Sequence, residues 1–240
     1  MKRQSNNLLH GQEEEGASGE VSHTSRTPGA FLDAAEREFA EHGYNGATIR
    51  AISHHAGVNL GTLHYHFGSK RCLFVAVCER RLRSIGEERR RRLNICETFT
   101  GLDAEVQVRA LLQAMLEPIL LVPRESDEHY RIVRKLHARV LSEEGEAIQD
   151  VLRQIYHPAS GRFVQMLREA CTHLDEAEFQ IRTACVFGTF IHIYTDVIRP
   201  LREGEPDVIE AQGDVDQYVH FLTRGLMAPP EAVAWRSGGA

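Results

Sequence analysis

The segment from Thr48 to Phe67 carries small and polar residues at spacings that suit hydrogen bonding to the edges of base pairs. It reads TIRAISHHAGVNLGTLHYHF, and its apolar positions follow the period of two short helices. The residues left facing outward on the second helix are Asn59, Gly61, Thr62, Tyr65 and His66. Side chains of these types fit into a major groove, where they can contact base edges. The segment therefore indicates a surface that binds duplex DNA.

The other residues of this segment predict how two helices hold that surface. Two short helices that cross tightly need a small residue at the crossing, and Ser53 occupies that position. The turn between them needs a residue that tolerates positive φ, which is Gly57, and an apolar residue after it, which is Val58. Ile52 and Leu63 then close the pair against a preceding helix. This arrangement is typical of a helix-turn-helix.

A longer stretch, from Ala47 to Val75, resembles the DNA-binding signature of the TetR family of regulators. The residues in register with that signature are Gly57, Gly61-Thr62-Leu63, His66-Phe67 and Ser69-Lys70. The preceding stretch, from Phe31 to Gly46, resembles the first helix of the family. The resemblance implies a dimer that binds an operator through its N-terminal helices and a small-molecule effector through the remainder.

The resemblance also implies roles for individual residues. It places His66 and Lys70 at phosphates and makes Thr48 the cap of a helix at the DNA backbone. Four residues would approach base edges: Arg50, Asn59, Leu60 and Thr62. The chain departs from the family pattern at His64, where a Tyr that touches phosphate is usual, and at Ser53, where Ala is usual. The complete predicted DNA-binding set is Thr48, Arg50, Asn59, Leu60, Gly61, Thr62, His64, Tyr65, His66 and Lys70.

Ordinary structural interpretations stay open for several of these residues. Lys70 is either an exposed lysine or a phosphate contact, and the helix dipole favours the second, because it disfavours a cation at a helix N-terminus. Arg50 is either a solvated arginine or a base contact. His54 and His55 are expected to be surface residues of the first short helix. Tyr65 could stack on a base, contact a thymine methyl group or only cover a sugar.

Helical periodicity in the rest of the chain predicts an all-α fold. A first helix is expected to begin with Thr27 as its N-cap and to end at Gly43, and a long fourth helix, capped by Ser69, to span about 70–95. Pro158 falls inside a later helix, but the apolar stripe keeps its phase across it, which favours a kink over a break. The helices expected beyond the fourth lie at 103–121, 127–142, 145–173, 176–198 and 214–227.

The formal net charge of -6 is unevenly distributed along the chain. Residues 47–92 contain ten Lys or Arg and three Asp or Glu. A basic zone on an acidic protein is the footprint expected where one part of the molecule meets phosphate. The run Arg89 to Arg92 inside this zone is also consistent with a solvated helix face.

These patterns divide the chain into four regions. Residues 1–26 and 229–240 are expected to be flexible tails, because they contain few large apolar groups to offset the entropy of ordering. Residues 27–72 form the predicted three-helix DNA-binding domain. Residues 73–228 form the predicted larger helical domain for effector binding and dimerisation.

Two C-terminal helices are candidates for the dimer interface. The 176–198 helix is apolar nearly all round, so it must be covered on most sides, and the 214–227 helix carries a second apolar stripe. Two such helices from each of two subunits would form a four-helix interface, as in the family that the chain resembles. Burial within one chain would explain the same pattern.

The effector pocket is predicted from apolar or weakly polar residues on inward helix faces: Met115, Val133, His137, Phe163, Phe187 and His192. An ordinary hydrophobic core has the same pattern. The stretch from Tyr130 to Leu167 resembles regulators of this family that are tied to fatty-acid or other lipid metabolism. We therefore expect an apolar rather than a highly charged effector.

The composition and motifs argue against other classes of protein. The five cysteines are scattered and never form CxxC, so neither a disulfide framework nor a zinc site is expected. No stretch has the pattern of a secretion signal or a membrane span, and we expect a cytoplasmic protein without membrane contact. His64 and His66 could ligate a metal, but no HExxH motif, nucleophile elbow or Gly-rich phosphate loop occurs. We therefore expect neither an enzyme nor a metal or other cofactor.

The sequence thus predicts a ligand-responsive transcriptional regulator. It is expected to act as a repressor that binds a palindromic operator in double-stranded DNA as a homodimer and is released by a small-molecule effector. Activation is an alternative, because the sequence does not show where the operator lies. A helical protein-interaction adaptor without sequence-specific DNA binding is the other alternative, and it leaves the register of the helix-turn-helix unexplained.

Overall fold

The computed structural model describes residues 23–99, 101–119, 127–195 and 212–230, and all regular elements within these ranges are helical. The expected all-α class, with an N-terminal helix-turn-helix and a larger helical domain, is confirmed. The helices are α1 (His23–Gly46), α2 (Ile49–Ala56), α3 (Leu60–Phe67), α4 (Lys70–Cys96), α5 (Ala104–Leu116), α6 (Asp127–Ser142), α7 (Glu146–Val151), α8 (His157–Ala170), α9 (Glu176–Thr195) and α10 (Gln212–Met227). A short 3₁₀ turn, Glu117–Ile119, follows α5.

The first helix begins earlier than the sequence suggested. It starts at His23, so Thr27 is not its N-cap, and residues 23–26, the first four that the structure describes, are helical rather than part of a tail. Pro28 lies inside the helix, where its missing N–H removes a single intrahelical hydrogen bond in the second turn. Residues 1–22 and 231–240 of the expected tails lie outside the described residues.

Gly43 interrupts α1 at the position where the sequence predicted its end. Its backbone has φ 68 and ψ -179, a region that is essentially restricted to glycine. The same residue lies against another helix, because a Cβ built on it would fall 1.9 Å from Oε1 of Glu143, at the end of α6. The backbone conformation therefore requires glycine, and a side chain at this position would also displace the Glu143 carboxylate.

The long helix α4 joins the N-terminal helices to the rest of the molecule. Its first half packs Leu73, Phe74 and Val77 into a core that also contains residues of α1, α2, α6 and α7. Farther along, Leu93 belongs to a second core formed with α5, α8, α9 and α10. The domain boundary expected at residue 72 lies in the first turn of α4, so a continuous helix crosses it.

The segment around Pro158 is continuous helix, as the phase of its apolar stripe predicted. A wide π turn, Leu152–Tyr156, links α7 to α8, and Pro158 is the second residue after it. The wider spacing of hydrogen bonds in a π turn lets the chain pass a residue that lacks an N–H without leaving the helix. This segment ends at Ala170 rather than at the expected residue 173.

Candidate nucleic-acid interface and effector cavity

The turn between α2 and α3 has the geometry that the sequence predicted. Thr48 caps α2, since its Oγ1 accepts a hydrogen bond from the N–H of Ala51 at 3.1 Å. Gly57 ends the helix in the left-handed region with φ 65 and ψ 29. Ser53, at the crossing, is buried, and Ile52 is fully buried against α1. The side chain of Leu63 lies outside the described residues.

Asn59 is the N-cap of α3, a role that the sequence analysis did not assign. Its Oδ1 accepts a hydrogen bond from the N–H of Gly61 at 3.0 Å. The helix consequently begins at Leu60. Because the side-chain oxygen is used for capping, only the amide NH₂ of Asn59 remains for a base edge. The residue type gave a usable signal, since Asn is among the preferred N-cap residues.

The outer face of α3 is open to solvent. Tyr65 is 85% exposed and Leu60 42% exposed, and Gly61, His64 and His66 are exposed as well. The rings of Tyr65 and His66 meet edge to face, with centroids 4.9 Å apart. The side chain of Thr62 lies outside the described residues. An eight-residue helix with such a face is accessible along its whole length to a partner surface.

His64 has one ring nitrogen occupied by the protein itself. Its Nδ1 lies 3.0 Å from the carbonyl oxygen of Gly68, and because a carbonyl only accepts, this nitrogen carries the proton. The neutral ring therefore offers Nε2 as an acceptor, which cannot donate to a phosphate oxygen. Only a protonated His64 could make the phosphate contact that the Tyr of the family pattern provides.

Lys70 lies at the start of α4, against an aromatic ring. Ser69 caps this helix as predicted, and its Oγ accepts from the N–H of Cys72 at 3.1 Å. The Nζ of Lys70 lies 4.8 Å from the centroid of the Tyr44 ring. Burial lowers the pKa of Lys70, whereas the nearby Glu143 carboxylate opposes that shift. The ammonium group is thus held in place beside a helix N-terminus, where backbone N–H groups also favour an anion.

The basic zone of the sequence is largely neutralised within the fold. At least seven of its ten cations form ion pairs, and many of their carboxylates come from other segments: Asp33, Glu36, Glu117, Glu146 and Asp150. Glu36 is the most buried of these and lies 2.5 Å from Arg81 of α4. The excess of positive charge in this part of the sequence therefore does not by itself mark a phosphate-binding surface, because charge that is local in sequence is paired in three dimensions.

Two cations of this zone lie in the first turns of the two helices that flank α3 in the chain. Arg50 is exposed in the first turn of α2, and no ion pair of its side chain is found within the described part of the chain. Lys70, the first residue of α4, contacts the Tyr44 ring rather than a carboxylate. Each of these cations thus lies near a helix N-terminus, which also favours an anion.

A second candidate site is a cavity of about 290 Å³ in the larger helical domain. Helices α4, α5, α6, α8 and α9 and the π turn contribute to it. Its wall is mostly apolar and consists of Arg89, Met115, Leu141, Leu152, Tyr156, His157, Ser160, Phe187, Phe190 and Ile191. Such a cavity suits a small apolar ligand with few polar groups.

Two of the six residues expected in the effector pocket line this cavity, Met115 and Phe187. Phe163 lies behind the wall, with its ring centroid 6.2 Å from that of Phe187, and the ring of His137 packs against Tyr156 at 5.6 Å. Val133 is buried in the first core, and His192 is a partly buried residue of α9 that does not line the cavity. The sequence pattern marked inward faces but did not separate the cavity wall from the packing behind it.

Contacts between α1 and α6 connect the N-terminal helices with the larger domain. Glu143 accepts a hydrogen bond on Oε2 from the backbone N–H of Tyr44 at 2.9 Å. Arg139 donates to the carbonyl oxygen of Glu41 at 2.6 Å, and Lys135 pairs with the Glu41 carboxylate. Leu141, between these residues in α6, lines the cavity. No local sequence pattern indicates these contacts, because the partners lie about a hundred residues apart.

Within the described residues, no helix is long and apolar enough to cross a membrane. In the same part of the chain, no group of three or more His, Cys, Asp or Glu side chains is arranged to hold a metal ion.

Comparison with known proteins gives matches along most of the chain. The family model for "Bacterial regulatory proteins, tetR family" matches residues 31–77, and that for "Tetracyclin repressor-like, C-terminal domain" matches residues 113–225. The HTH-type transcriptional repressor AcnR of Corynebacterium efficiens is 47% identical over 47 residues, which are 20% of this chain and 25% of the relative. The match thus spans about a quarter of the length of this relative.

Solved structures of similar fold cover much more of the molecule. The fatty acid degradation regulator FadR from Bacillus halodurans superposes with a TM-score of 0.52 and 17% identity, covering 85% of this chain and 99% of that chain. A TetR-like transcriptional regulator from a Rhodococcus species gives 0.51 and 19%, covering 87% and 99%. At these identities the likeness concerns the fold.

The two family models match in chain order, the first at the helix-turn-helix and the second at the helices that follow it. The first match agrees with the exposed α3 and the left-handed turn at Gly57. The second agrees with the helices described in the second domain. Proteins of this kind are transcriptional regulators rather than enzymes. The chain belongs to the TetR family of bacterial transcriptional regulators.

Proposed function

We propose that this regulator is a repressor that binds a palindromic operator as a homodimer and is released by a small apolar effector. The observation that carries the proposal is the exposed outer face of α3, flanked in the chain by Arg50 and Lys70. A recognition helix needs an open face for base edges and cations beside it for phosphates. Repression is supported by the similarity to AcnR, a repressor that is 47% identical to this chain over 47 residues.

The predicted DNA-binding residues divide into two groups on this face. Thr48, His66 and Lys70 lie at positions suited to phosphates, and His64 would join them when protonated. Residues suited to base edges or sugars are Arg50, Asn59, Leu60, Gly61, Thr62 and Tyr65. Phosphate contacts fix the position of the helix, whereas base contacts select the sequence.

Dimerisation is supported by an exposed apolar stripe on α9. Ile181, Ala184, Cys185, Gly188 and Ile191 follow helical spacing along one exposed face of this helix. On α10, Phe221 is 73% exposed. A second copy of the chain would cover both helices and set two α3 helices one helical turn of DNA, about 34–36 Å, or more apart.

Effector binding is supported by the cavity and by its position beside α6. A ligand changes DNA affinity only if it binds the DNA-competent and incompetent conformations with different affinity. A cavity between α4, α6 and α9 is suited to this, because α6 also contacts α1 through Glu143 and Arg139. A difference of a few kcal/mol between the two conformations would change operator occupancy strongly.

Fluorescence anisotropy with DNA from upstream of the chain's own gene tests the proposal. Purified protein should bind this duplex more tightly than a scrambled duplex of equal length, and an extract of the producing cells should weaken that binding. Arg50→Ala should reduce the preference for the upstream duplex by about 1–3 kcal/mol. The matched control is Arg83→Ala, because Arg83 is an exposed arginine already paired with Glu79 on the body of α4.

Equal affinity for the two duplexes, or no binding at low salt, would contradict the proposed function. An unchanged preference in Arg50→Ala would instead limit the correction to this one base contact.

A further inference from the structure

The ammonium group of Lys70 lies against an aromatic ring at the junction of α1 and α4. Its Nζ is 4.8 Å from the centroid of the Tyr44 ring, within the range at which an aromatic face attracts a cation. Lys70 is only partly buried, and an ammonium group carries three donors. Contact with the ring therefore leaves donors of Lys70 for a second partner.

The place of Lys70 in α4 directs its side chain past the start of the helix. Lys70 is the first residue of α4, directly after the cap Ser69. Side chains of an α-helix tilt towards its N-terminus, so that of a first residue extends beyond the helix end and has no preceding turn to pack against. A lysine stem that rotates freely loses much entropy when it is ordered. The Tyr44 ring supplies the support that a preceding turn would give.

Tyr44 is itself held by three helices. Its ring packs edge to face against Phe74 of α4, with centroids 5.2 Å apart, and stacks on Phe39 of α1 at 6.4 Å. Both phenylalanines are fully buried. The backbone N–H of Tyr44 donates to Oε2 of Glu143 on α6 at 2.9 Å. Ring and backbone are both fixed, which makes Tyr44 a firm support for the lysine.

The Glu143 carboxylate acts on Lys70 but is occupied by other donors. Burial lowers the pKa of Lys70, and the negative charge of Glu143 opposes that shift. The oxygens of Glu143 accept from the N–H of Tyr44 and, at 3.4 Å, from Nη1 of Arg139. An aromatic ring attracts a cation through its negative face and carries no net charge. The ring therefore fixes the ammonium group and leaves its charge for an anion.

We propose that Tyr44 is a positioning residue for DNA binding, whose ring holds the ammonium group of Lys70 where a DNA phosphate accepts from it. The inference rests on the proposed function, since it concerns how one phosphate contact of that function is prepared. A group that is ordered before binding loses less conformational entropy in the complex, so the complex is tighter. Tyr44 lies outside the predicted DNA-binding set and contributes through Lys70, without touching DNA.

Fluorescence anisotropy with the upstream duplex and a scrambled duplex tests the role of the ring. Tyr44→Leu removes the aromatic face and should weaken binding to both duplexes about two- to fivefold, the size of a cation–π contact at an exposed site. The slope of log affinity against log salt should not change, because the charge of Lys70 remains. Tyr44→Phe keeps the aromatic face and should bind both duplexes as tightly as the wild type does.

A double-mutant cycle with Lys70→Ala separates positioning from a general loss of structure. Lost ring packing would weaken DNA binding in any background, whereas a residue that acts through Lys70 has no effect once the ammonium group is absent. In Lys70→Ala protein, Tyr44→Leu should therefore cause no further loss of affinity for either duplex. Circular dichroism spectra establish that each variant is folded.

A fluorinated ring keeps the test decisive if Tyr44→Leu does not fold. Pentafluorophenylalanine at position 44 then takes the place of leucine in the same cycle. Its ring can still pack against Phe39 and Phe74, but the fluorine atoms withdraw the negative charge from the ring face, so the cation is no longer attracted. The same two- to fivefold loss, about the size of a cation–π contact, is expected, again only when Lys70 is present.

The proposal is overturned if Tyr44→Leu binds DNA as tightly as the wild type. It is equally overturned if Tyr44→Leu binds more tightly, because the ring would then compete with phosphate for the ammonium group. Equal losses with and without the Lys70 side chain, or a Tyr44→Phe variant as weak as Tyr44→Leu, also overturn it.

The wild-type titration separates this proposal from the proposed function. Wild-type protein that ignores duplex DNA at low salt overturns both. Wild-type protein that prefers the upstream duplex, together with equal losses in the two backgrounds of the cycle, overturns only the positioning role of Tyr44.

Discussion

At the scale of single residues, Lys70 combines a fixed position with an accessible charge. The Tyr44 ring holds its ammonium group beside the N-terminus of α4, the helix that follows α3 in the chain. A lysine that contacts phosphate reads no sequence, because every phosphate is alike. Lys70→Ala should therefore weaken binding to the operator and to scrambled duplex alike and lower the slope of log affinity against log salt by about one.

The slope of log affinity against log salt is measured by anisotropy titrations between roughly 50 and 200 mM salt. In this range phosphate contacts change the affinity most visibly. Arg83→Ala again serves as control, since its side chain is exposed but paired within α4. An effect of Lys70→Ala restricted to one operator sequence would mean that Lys70 contacts a base.

The buried ring of His137 gives the fold a dependence on pH whose direction follows from its pKa. The unfolded chain takes up a proton at this ring below pH about 6.5, whereas the folded protein keeps it neutral down to about 3. The unfolded state therefore binds more protons within this window, and the free energy of unfolding falls as pH falls from 6.5 towards 3. Between pH 7 and pH 5 the loss from this one group should be about 2 kcal/mol.

Urea unfolding at the two pH values measures this loss. In His137→Leu the decrease should be smaller than in the wild type by about that amount, whatever the stability of the variant at pH 7. His42→Gln, which replaces an exposed histidine, should leave the decrease unchanged. Equal pH dependence in the wild type and His137→Leu would show that the ring is not kept neutral in the folded state.

At the scale of helices, sequence reasoning succeeded where a signal is local and failed where the partner is distant. The caps Thr48 and Ser69 bond to N–H groups three residues ahead, so residue type and position were enough to predict them. The pairing of Arg71 with Asp150 spans 79 residues, and no pattern within α4 indicates it. For the same reason the basic zone was read as an open surface.

For a related reason, the surroundings of the predicted site residues could be derived from the sequence only in part. The α3 face follows from helical phase alone, which the sequence contains. Which inward residues border empty space depends on how five helices meet, and this separates Met115 at the cavity wall from Val133 in the core. The buried charge of Arg89 was hidden by its neighbours, because a run of arginines looks like a solvated face.

The junction of α1 and α6 makes a prediction at this scale. Glu143 is the acceptor for the partly buried N–H of Tyr44, just after the break at Gly43. Glu143→Ala removes the acceptor and should lower the free energy of unfolding by about 1–3 kcal/mol. The variant should also reduce the factor by which an effector-containing extract weakens DNA binding, since α6 would no longer hold the end of α1.

Urea unfolding and anisotropy of the same preparations measure the two effects. Glu144→Ala, which changes the exposed neighbour, should alter neither quantity. A destabilised Glu143→Ala whose response to the extract matches the wild type would show that this contact supports the fold but does not transmit the effector signal.

At the scale of the whole molecule, the proposed dimer interface is the exposed face of α9 and α10, and only a dimer could place two α3 helices on two half-sites. Ile181 is 58% exposed on α9, and its neighbour Arg182 donates to the carbonyl oxygen of Gly225, one turn beyond Phe221 on α10. The exposed residues of the two helices therefore lie close enough to share one interface. An aromatic side chain at such a place is worth about 1.5–3 kcal/mol in burial for each copy.

Phe221→Asp should convert the dimer to a folded monomer, because each interface would lose that burial and enclose an unpaired carboxylate instead. Light scattering coupled to size-exclusion chromatography gives the mass, and circular dichroism gives the helical content, which should not change. Affinity for a two-half-site duplex should fall towards that for a single half-site, since one protein then positions only one α3. Ser84→Asp places the same charge at an exposed position of α4 and should remain dimeric. A folded Phe221→Asp variant that keeps the dimer mass would place the interface elsewhere, and the α9 stripe would then need another partner.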